Sequence, residues 1–482
     1  MNLEILLPIL LPLIVGLAVG IVKPSYDKRN KIIIATTMIN FFLVLYILIF
    51  KTNKILHLIK INEFLDLYLY PDKTGIIFAI LVSSLWIFTT FYSIDYMGEK
   101  NNLSKFFMFF LITEGITLGI AFSGNLITLY LFYELLTLST FPLVIEKGSE
   151  LALNAGKKYL IYSFCGATMV LFGVILLFSQ TQNLSFIPGG IVGSLVYGNK
   201  DIFLMVYLLL FLGFGVKAAL VPFHSWLPSA MVAPTPVSSL LHAVAVVKSG
   251  IFALGRMTYY VLGWKVIEFT EGNKYTLVLV LLTILMGSFL AMHQENLKRR
   301  LAYSTISQLG YIMLALVIFD SSSYVGGMLH MLFHATIKIT LFFCVGAIMH
   351  YENKTELHEI AGIGKKMPKT MISFTVASIC LIGIPPTNGF VSKWFLAIGG
   401  LEQGSYLVPI ILLLSAFFTA GYLIPVISTA FFKGNPAQEV EISEPNNFML
   451  VPIILLASIN VILGFFPNAI IDTIQLAADK LF

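Results

Sequence analysis

Seven ionisable residues lie in or beside stretches of this chain that are otherwise hydrocarbon: Glu134, Lys217, Lys248, His330, His334, Lys338 and Lys393. A charge near the centre of a bilayer costs about 2.5–3.5 kcal/mol even on mild insertion scales. The whole stability margin of a folded domain is roughly 5–15 kcal/mol. Such groups must therefore pair, hydrate an interior channel or give up their protons. Each outcome describes an ion path.

Glu134 sits mid-span in LYLFYELLTL, and Lys217 lies just before a helix break in GFGVKAALVPFHSW. Burial disfavours a charged lysine and a nearby carboxylate favours it. A glutamate–lysine pair can then hold the proton when close and release it when separated. Lys248, in LLHAVAVVKSGIF, is about twelve residues, or 18 Å, from either end of its span, too far to reach the surface. His330, His334 and Lys338 follow at i, i+4 and i+8 in HMLFHATIK, on one helical face at intervals of about 6 Å. One water bridges such a gap, and imidazole both donates and accepts. Two histidines at i and i+4 also have zinc spacing, but no nearby carboxylate or thiol completes a ligand set and Lys338 repels a cation. Lys393 follows a second break, in FVSKWF. Three further residues are possible accessories: Glu114, mid-span in FLITEGITL with no obvious partner, His224 beside the first break, and His242 on the helix of Lys248.

The elements that must position these groups are membrane spans. Of 482 residues, 58% are hydrophobic and 11% charged, and the mean hydropathy is +0.89, whereas a soluble chain carries about a quarter charged residues. The chain reads as an all-α integral membrane protein with about fourteen transmembrane helices. Leu3 to Val22 lacks a basic n-region and a cleavage site and reads as a retained span. The net charge of +5 is scattered rather than clustered with aromatics, which gives no nucleic-acid surface. Cys165, Cys344 and Cys380 are far apart, without metal or redox spacing, so no iron–sulfur cluster is expected on this chain. Gly213-Phe214-Gly215 is half a dinucleotide fingerprint inside a span, and reads as packing. No connecting stretch has room for a nucleotide or redox domain, so the expectation is no cofactor in this subunit and energy drawn from a gradient or another subunit.

Loop charge gives the orientation. One set of loops, including Lys23–Lys31, Lys100, Lys298–Arg300, Lys365–Lys369 and Lys433, holds about twice as many basic residues as the set with Lys51, Lys54, Lys60, Lys200 and Lys274. The richer set is expected in the cytoplasm, which puts both termini outside the cell membrane. In one outer loop, Ile55, His57, Ile59 and Ile61 alternate, Asn62-Glu63 interrupts, and Phe64, Asp66, Tyr68 and Tyr70 continue, which suggests a β-hairpin. Proline-rich breaks at VPFHSWLP and GIPPTNGFVSK lie about 160 residues apart, each in the fourth helix of a five-span group. Five is odd, so the second copy enters the membrane from the opposite side, an inverted repeat whose broken helices mark the transport site. The expected division is an N-terminal three-helix segment with the hairpin (1–100), two half-channels (101–270 and 271–435) and a C-terminal helix (436–482).

Together these motifs resemble the antiporter-like subunits of complex I (the L, M and N types), of Mrp cation/proton antiporters and of membrane-bound hydrogenases. The matching stretches include LYLFYELLTLSTFPLV, the segment from GFGVKAALVPFHSW to AVVKSGIFAL, ENLKRRLAYSTISQLGYIMLAL, HMLFHATIKITLFFCVGAIMH and GIPPTNGFVSKWF. The resemblance implies fourteen helices, two inverted five-helix units and a central polar axis. It makes Glu134 and Lys217 the family's glutamate–lysine pair, Lys248 and Lys338 its connecting residues, and Lys393 the terminal lysine of the second half-channel. It implies a proton-translocating subunit of a redox-driven complex, with homologous membrane subunits and a redox module as partners. The alternative is a subunit of an Mrp-type sodium/proton antiporter. The His-His-Lys run and Lys393 are most like the L type, but the lateral helix of that type is not in this sequence, and Glu114 is not part of the family pattern.

Overall fold

A computed structural model of the chain describes residues 2–60, 66–98, 103–433 and 441–482. A short 3-10 turn at Leu3–Leu6 leads into α1 (Leu7–Val22) and α2 (Tyr26–Phe50). Two strands follow, β1 (Leu56–Lys60) and β2 (Asp66–Leu69). Next come α3 (Lys73–Met97), α4 (Leu103–Phe122), α5 (Leu126–Val144) and α6 (Glu150–Thr181). The first interrupted segment is α7 (Lys200–Lys217) and the short α8 (Trp226–Ser229). Beyond it run α9 (Thr235–Ala243), α10 (Val246–Arg256, continued by a π-helical turn, Met257–Leu262) and α11 (Trp264–Phe269). Then come α12 (Gly272–Met292), α13 (Leu297–Ile318), α14 (Ser321–Tyr351) and the short α15 (Ile363–Lys366). The second interrupted segment is α16 (Pro368–Ile382) and α17 (Asn388–Glu402). The order closes with α18 (Leu407–Phe432), α19 (Asn447–Phe465) and α20 (Asn468–Ala478).

Among the described residues, twelve helices are long and apolar enough to cross a membrane. The two interrupted segments stand apart from that set. Polar residues at helix starts satisfy the free backbone donors there. Asp72 accepts from Gly75 N at 2.8 Å, Asn125 from Thr128 N at 2.8 Å and Asp320 from Ser323 N at 2.9 Å. Burial separates a core from a rim. The most apolar 18 residues of Thr235–Leu262 are all buried and 94% of those in Ser321–Tyr351 are, against only 33% of those in Tyr26–Phe50. The helices carrying Lys248, His330, His334 and Lys338 are therefore the innermost, screened from lipid by the outer spans.

β1 and β2 pair antiparallel, with His57 opposite Tyr68 and Lys60 opposite Asp66. The interrupting Asn62-Glu63, with Ile61, Phe64 and also Lys100, lies outside the described residues. Backbone bonds tie this hairpin to one end of the bundle, where Tyr70 N donates to Phe122 O and Gly124 N to Tyr68 O; at the same end Phe186 N donates to Gly124 O and Ile187 N to Tyr260 O. This end is called the hairpin face below.

Three expectations need correction. His242 and Lys248 are not on one continuous helix, because the backbone breaks at Val244 and Ala245, and α9 and α10 are separate short helices. Lys298 and Arg300 are not loop residues. They lie in the first turn of α13 and are 3% exposed, with Lys298 Nζ donating to Ala233 O at 2.7 Å and Arg300 Nη1 to Tyr422 O at 2.9 Å. The C-terminal segment is also not one helix: α19 ends at Phe465, and the amphipathic α20 follows.

Candidate functional site: a buried polar axis

Lys217 is the last residue of α7, and the chain turns there at Ala218–Ser225 before α8. Trp226 Nε1 donates to Val216 O at 2.8 Å and Thr283 Oγ1 accepts from Val221 N at 3.0 Å, so freed backbone groups of the break find partners inside the protein. Two close approaches set the position of Lys217. A Cβ on Gly213 would stand 2.7 Å from Gly166 O, and one on Gly250 would stand 2.7 Å from Ala218 N. Glycine lets α6 and α10 lie directly against the end of α7. The Gly213-Phe214-Gly215 triplet thus serves helix packing.

The Lys217 ammonium donates to Tyr133 O and lies 3.4 Å from the centroid of the Tyr133 ring. Glu134 Oε1 stands 3.9 Å from Lys217 Nζ, in Coulomb contact but beyond hydrogen-bond distance. Lys217 is 1% exposed at its side chain and Glu134 21%, so the lysine faces the core and the carboxylate the rim.

Lys248, on α10, and His334, on α14, are both wholly buried, and Lys248 Nζ lies 2.6 Å from His334 Nδ1. This contact joins α10 to α14. His334 stacks on His330 with ring centroids 5.8 Å apart and planes at 19°. His330 Nδ1 meets Ser392 Oγ at 2.9 Å, and its Nε2 meets Gln308 Oε1 at 3.1 Å. Ser392 precedes Lys393, whose ammonium donates to Leu381 O at 2.7 Å and Ile382 O at 2.9 Å, the last carbonyls of α16. A line of close contacts therefore runs from Lys248 through His334 and His330 to Ser392, the neighbour of Lys393 on α17.

Lys338 takes a different direction from its two histidines. Its Nζ donates to Ser304 Oγ at 2.7 Å and Leu301 O at 3.1 Å on α13. Ser304 Oγ then meets Tyr422 OH at 2.7 Å, a branch of hydroxyls towards α18. His242 is fully buried with neither ring nitrogen hydrogen-bonded, and its ring packs on Phe342 at 5.0 Å. His224 lies in the first break and packs on Tyr303 at 6.4 Å. These two are near the axis without joining it by hydrogen bonds.

Glu114 has a partner that the sequence did not disclose. Asn40 Nδ2, on α2, donates to Glu114 Oε1 at 2.8 Å, and both side chains are fully buried. The pair ties α2 to α4 away from the axis. Asn40→Leu removes a hydrogen bond to a buried carboxyl, which costs about 1–3 kcal/mol. A lower unfolding midpoint of the solubilised protein is the expected result. Glu114→Gln, which keeps an acceptor for Asn40, should fall less.

Sequence reasoning missed several polar groups of the site. Ser304, Gln308 and Tyr311 recur at i, i+4 and i+7 on α13, a polar stripe visible in LAYSTISQLGY. Asn388, at the start of α17, donates to Asn460 Oδ1 at 3.0 Å, and Thr336 donates to the same oxygen at 2.6 Å. Arg256 and Asp72 form a bidentate pair at 2.6 and 2.5 Å. Among the described residues, no group of three or more histidine, cysteine or acidic side chains is placed to hold a metal ion.

Fold and site define a multi-pass helical membrane protein whose innermost spans carry a line of buried basic side chains. The chain belongs to the NADH:quinone oxidoreductase/Mrp antiporter transmembrane family, whose model matches residues 123–419. It is similar to the Na(+)/H(+) antiporter subunit A1 of Staphylococcus aureus, at 32% identity over 433 residues, covering 84% of this chain and 53% of that protein. The chain spans about half the length of the curated relatives it matches. Among solved structures it resembles a chain of the membrane-bound sulfane sulfur reductase, an archaeal respiratory membrane complex, with a TM-score of 0.88 at 24% identity, covering 98% of this chain and 97% of that one. A chain of the Mrp complex from Dietzia sp. gives 0.89 at 18% identity, covering 100% and 98%. One of respiratory complex I from Thermus thermophilus gives 0.77 at 20% identity, covering 97% and 98%. At these identities the structural likenesses speak for the fold.

Proposed function

We propose that the chain is a proton-translocating subunit of a redox-driven membrane complex, carrying no redox centre itself. The observation that supports this reading is the Lys248–His334 contact of 2.6 Å, which ties α10, packed through Gly250 against the end of α7 that carries Lys217, to the histidine run of α14. In this reading residues 101–270 and 271–435 are the two half-channels, related as inverted repeats, and each proline-rich break opens one of them. Glu134 tunes the charge on Lys217, Lys248 and His334 pass it across the middle, and Lys393 ends the path. Nitrogen groups separated by single-water gaps suit proton hopping, whereas bare Na⁺ takes several close oxygen ligands. The partners are other membrane subunits of a multisubunit complex, homologous ones among them, and a redox module.

A second reading, a subunit of an Mrp-type sodium/proton antiporter, is favoured by the 32% identity to an antiporter subunit. Purification through a tag on this chain separates the two. Co-purification of a subunit with iron–sulfur centres, and proton flux indifferent to Na⁺, are the expected results. A set of purely membrane-embedded partners, with proton flux that requires Na⁺, selects the antiporter. Wild-type flux after neutralising both Glu134 and Lys217 leaves only a structural scaffold.

The charge count supports a cell-membrane orientation with both termini outside. A cysteine at the exposed Lys365 should label from the cytoplasm, and terminal tags only from the other side. Cytoplasmic labelling of either terminus reverses the orientation.

A further inference from the structure

Arg256 and Asp72 lie at the hairpin face, and neither belongs to the axis. The Arg256 side chain is 1% exposed and Asp72 15%, and the guanidinium is ringed by Phe186, Phe252 and Tyr260 at 4.7–5.2 Å. A pair so enclosed is expensive to bury, and fixing or switching an arrangement is the best-attested use of such a pair. Its surroundings show what it could switch. On the outer side is a cavity of about 120 Å³ whose lining includes Asn53, Asp72, Lys73 and Lys480. On the inner side is one of about 20 Å³, whose lining includes Arg256, Tyr324, Gly327 and Met331. Thr74 and Tyr260 line both cavities, and their hydroxyls are 2.9 Å apart. A cavity of roughly 10–15 Å³ holds one water, so the inner one has room for a single water and the outer for several.

The inner cavity is in line with the middle of the axis. On α10, Lys248, Ile251 and Gly255 share one face; on α14, His334, Met331 and Gly327 share another. Ile251, Gly255, Met331 and Gly327 all line the cavity. The Lys248–His334 contact is therefore about 5 Å from the cavity's near end and about 10 Å from its far end along two antiparallel helices. Ile251 and Met331 stand at the near end, apolar side chains of the kind that form a constriction which conducts when wet and blocks when dry.

Building on the reading of the axis as a proton path that ends at Lys393, we infer that this column is a side outlet from Lys248 and His334 to the hairpin face, shut for most of the time while the Arg256–Asp72 pair holds. Water in the inner cavity, the Thr74–Tyr260 hydroxyl pair and the outer vestibule form its steps. The Arg256–Asp72 pair holds the wall between the two cavities. The species carried is the proton, handed between waters and hydroxyls: each acceptor oxygen gains one proton and passes another on, so no group changes its net protonation over a cycle.

Accessibility to Ag⁺, a thiol-seeking cation of about water's size, tests this without a transport assay. Cysteines are placed singly at Thr74 and Met331 in a chain with Cys165, Cys344 and Cys380 replaced, within the intact complex in oriented vesicles. Thr74→Cys should react from the hairpin face only. Met331→Cys should react slowly, and Asp72→Asn should raise its rate about tenfold, as for a gate shut nine-tenths of the time. Thr74→Cys inert from the hairpin face overturns the outlet, and so does Met331→Cys unchanged by Asp72→Asn in an assembled complex. Because Ag⁺ labelling does not depend on flux, failure here with intact flux through the axis removes the outlet alone. Wild-type flux in Lys217→Ala would remove the axis instead.

Discussion

Lys217→Ala should lower proton flux through the assembled complex to below about one tenth of the wild-type rate, a loss of more than about 1.4 kcal/mol of driving interaction. The substitution removes the one ammonium that touches both Tyr133 O and the Glu134 carboxylate. Assembly should survive, because the Glu134 side chain is 21% exposed and its carboxylate can be solvated from the rim once the lysine is gone. Glu134→Gln should come close to the same loss. Two unit charges about 4 Å apart attract by about 4 kcal/mol at an effective dielectric near 20, and by roughly half that at twice the distance. That difference is what a moving glutamate would impose on the lysine. Glu134→Asp keeps the charge on a shorter arm and should retain part of the flux. Flux at the wild-type rate in Glu134→Gln would show that the pair has no coupling role.

Lys248→Met should be as severe, for a different reason. Methionine fills much of the lysine's volume, so packing against α14 is kept while the 2.6 Å contact with His334 Nδ1 is lost. His334 Nε2 is already without a hydrogen-bond partner, so its ring would then be a polar group in an apolar wall. The two halves of the path would be separated by dry hydrocarbon. His334→Ala should be milder, since a water fits the vacated space and can bridge Lys248 to His330. Lys338→Leu cuts the hydroxyl branch at Ser304 rather than the direct contact, and should slow flux less than Lys248→Met. Proton flux into dye-loaded proteoliposomes ranks the three, and the reverse order would place the main route through Ser304 and Tyr422.

Much of this arrangement was legible in the residues, because hydrocarbon makes every ionisable group conspicuous. Lys217, Lys248 and Lys338 needed no partner to be noticed; burial alone singled them out. The proline-rich breaks and the alternation around His57 and Tyr68 likewise rest on local backbone chemistry, and both appear in the fold. What sequence could not supply was pairing between distant segments. Nothing local in LLHAVAVVKSGIF says that Lys248 meets His334 rather than Lys338. Asn40 and Arg256 escaped notice for the same reason: their partners, Glu114 and Asp72, lie on other spans, and neither residue breaks the apolar pattern enough to stop the reading of a helix. The interruption at Val244–Ala245 carries no glycine or proline and so gave no local signal. The stripe of Ser304, Gln308 and Tyr311 was visible, yet in a span such hydroxyls and amides serve packing as readily as conduction.

The central claim is that one continuous axis serves both halves, and the comparison of Lys217→Ala, Lys393→Ala and the double variant tests it most directly. The measurement is proton uptake by the assembled complex in proteoliposomes with an entrapped pH dye. A single series path predicts that either substitution alone brings flux to the same floor, below about one tenth of wild type, and that the double variant falls no further. If each single variant keeps about half the flux and only the double variant abolishes it, the halves conduct independently and the axis is not continuous.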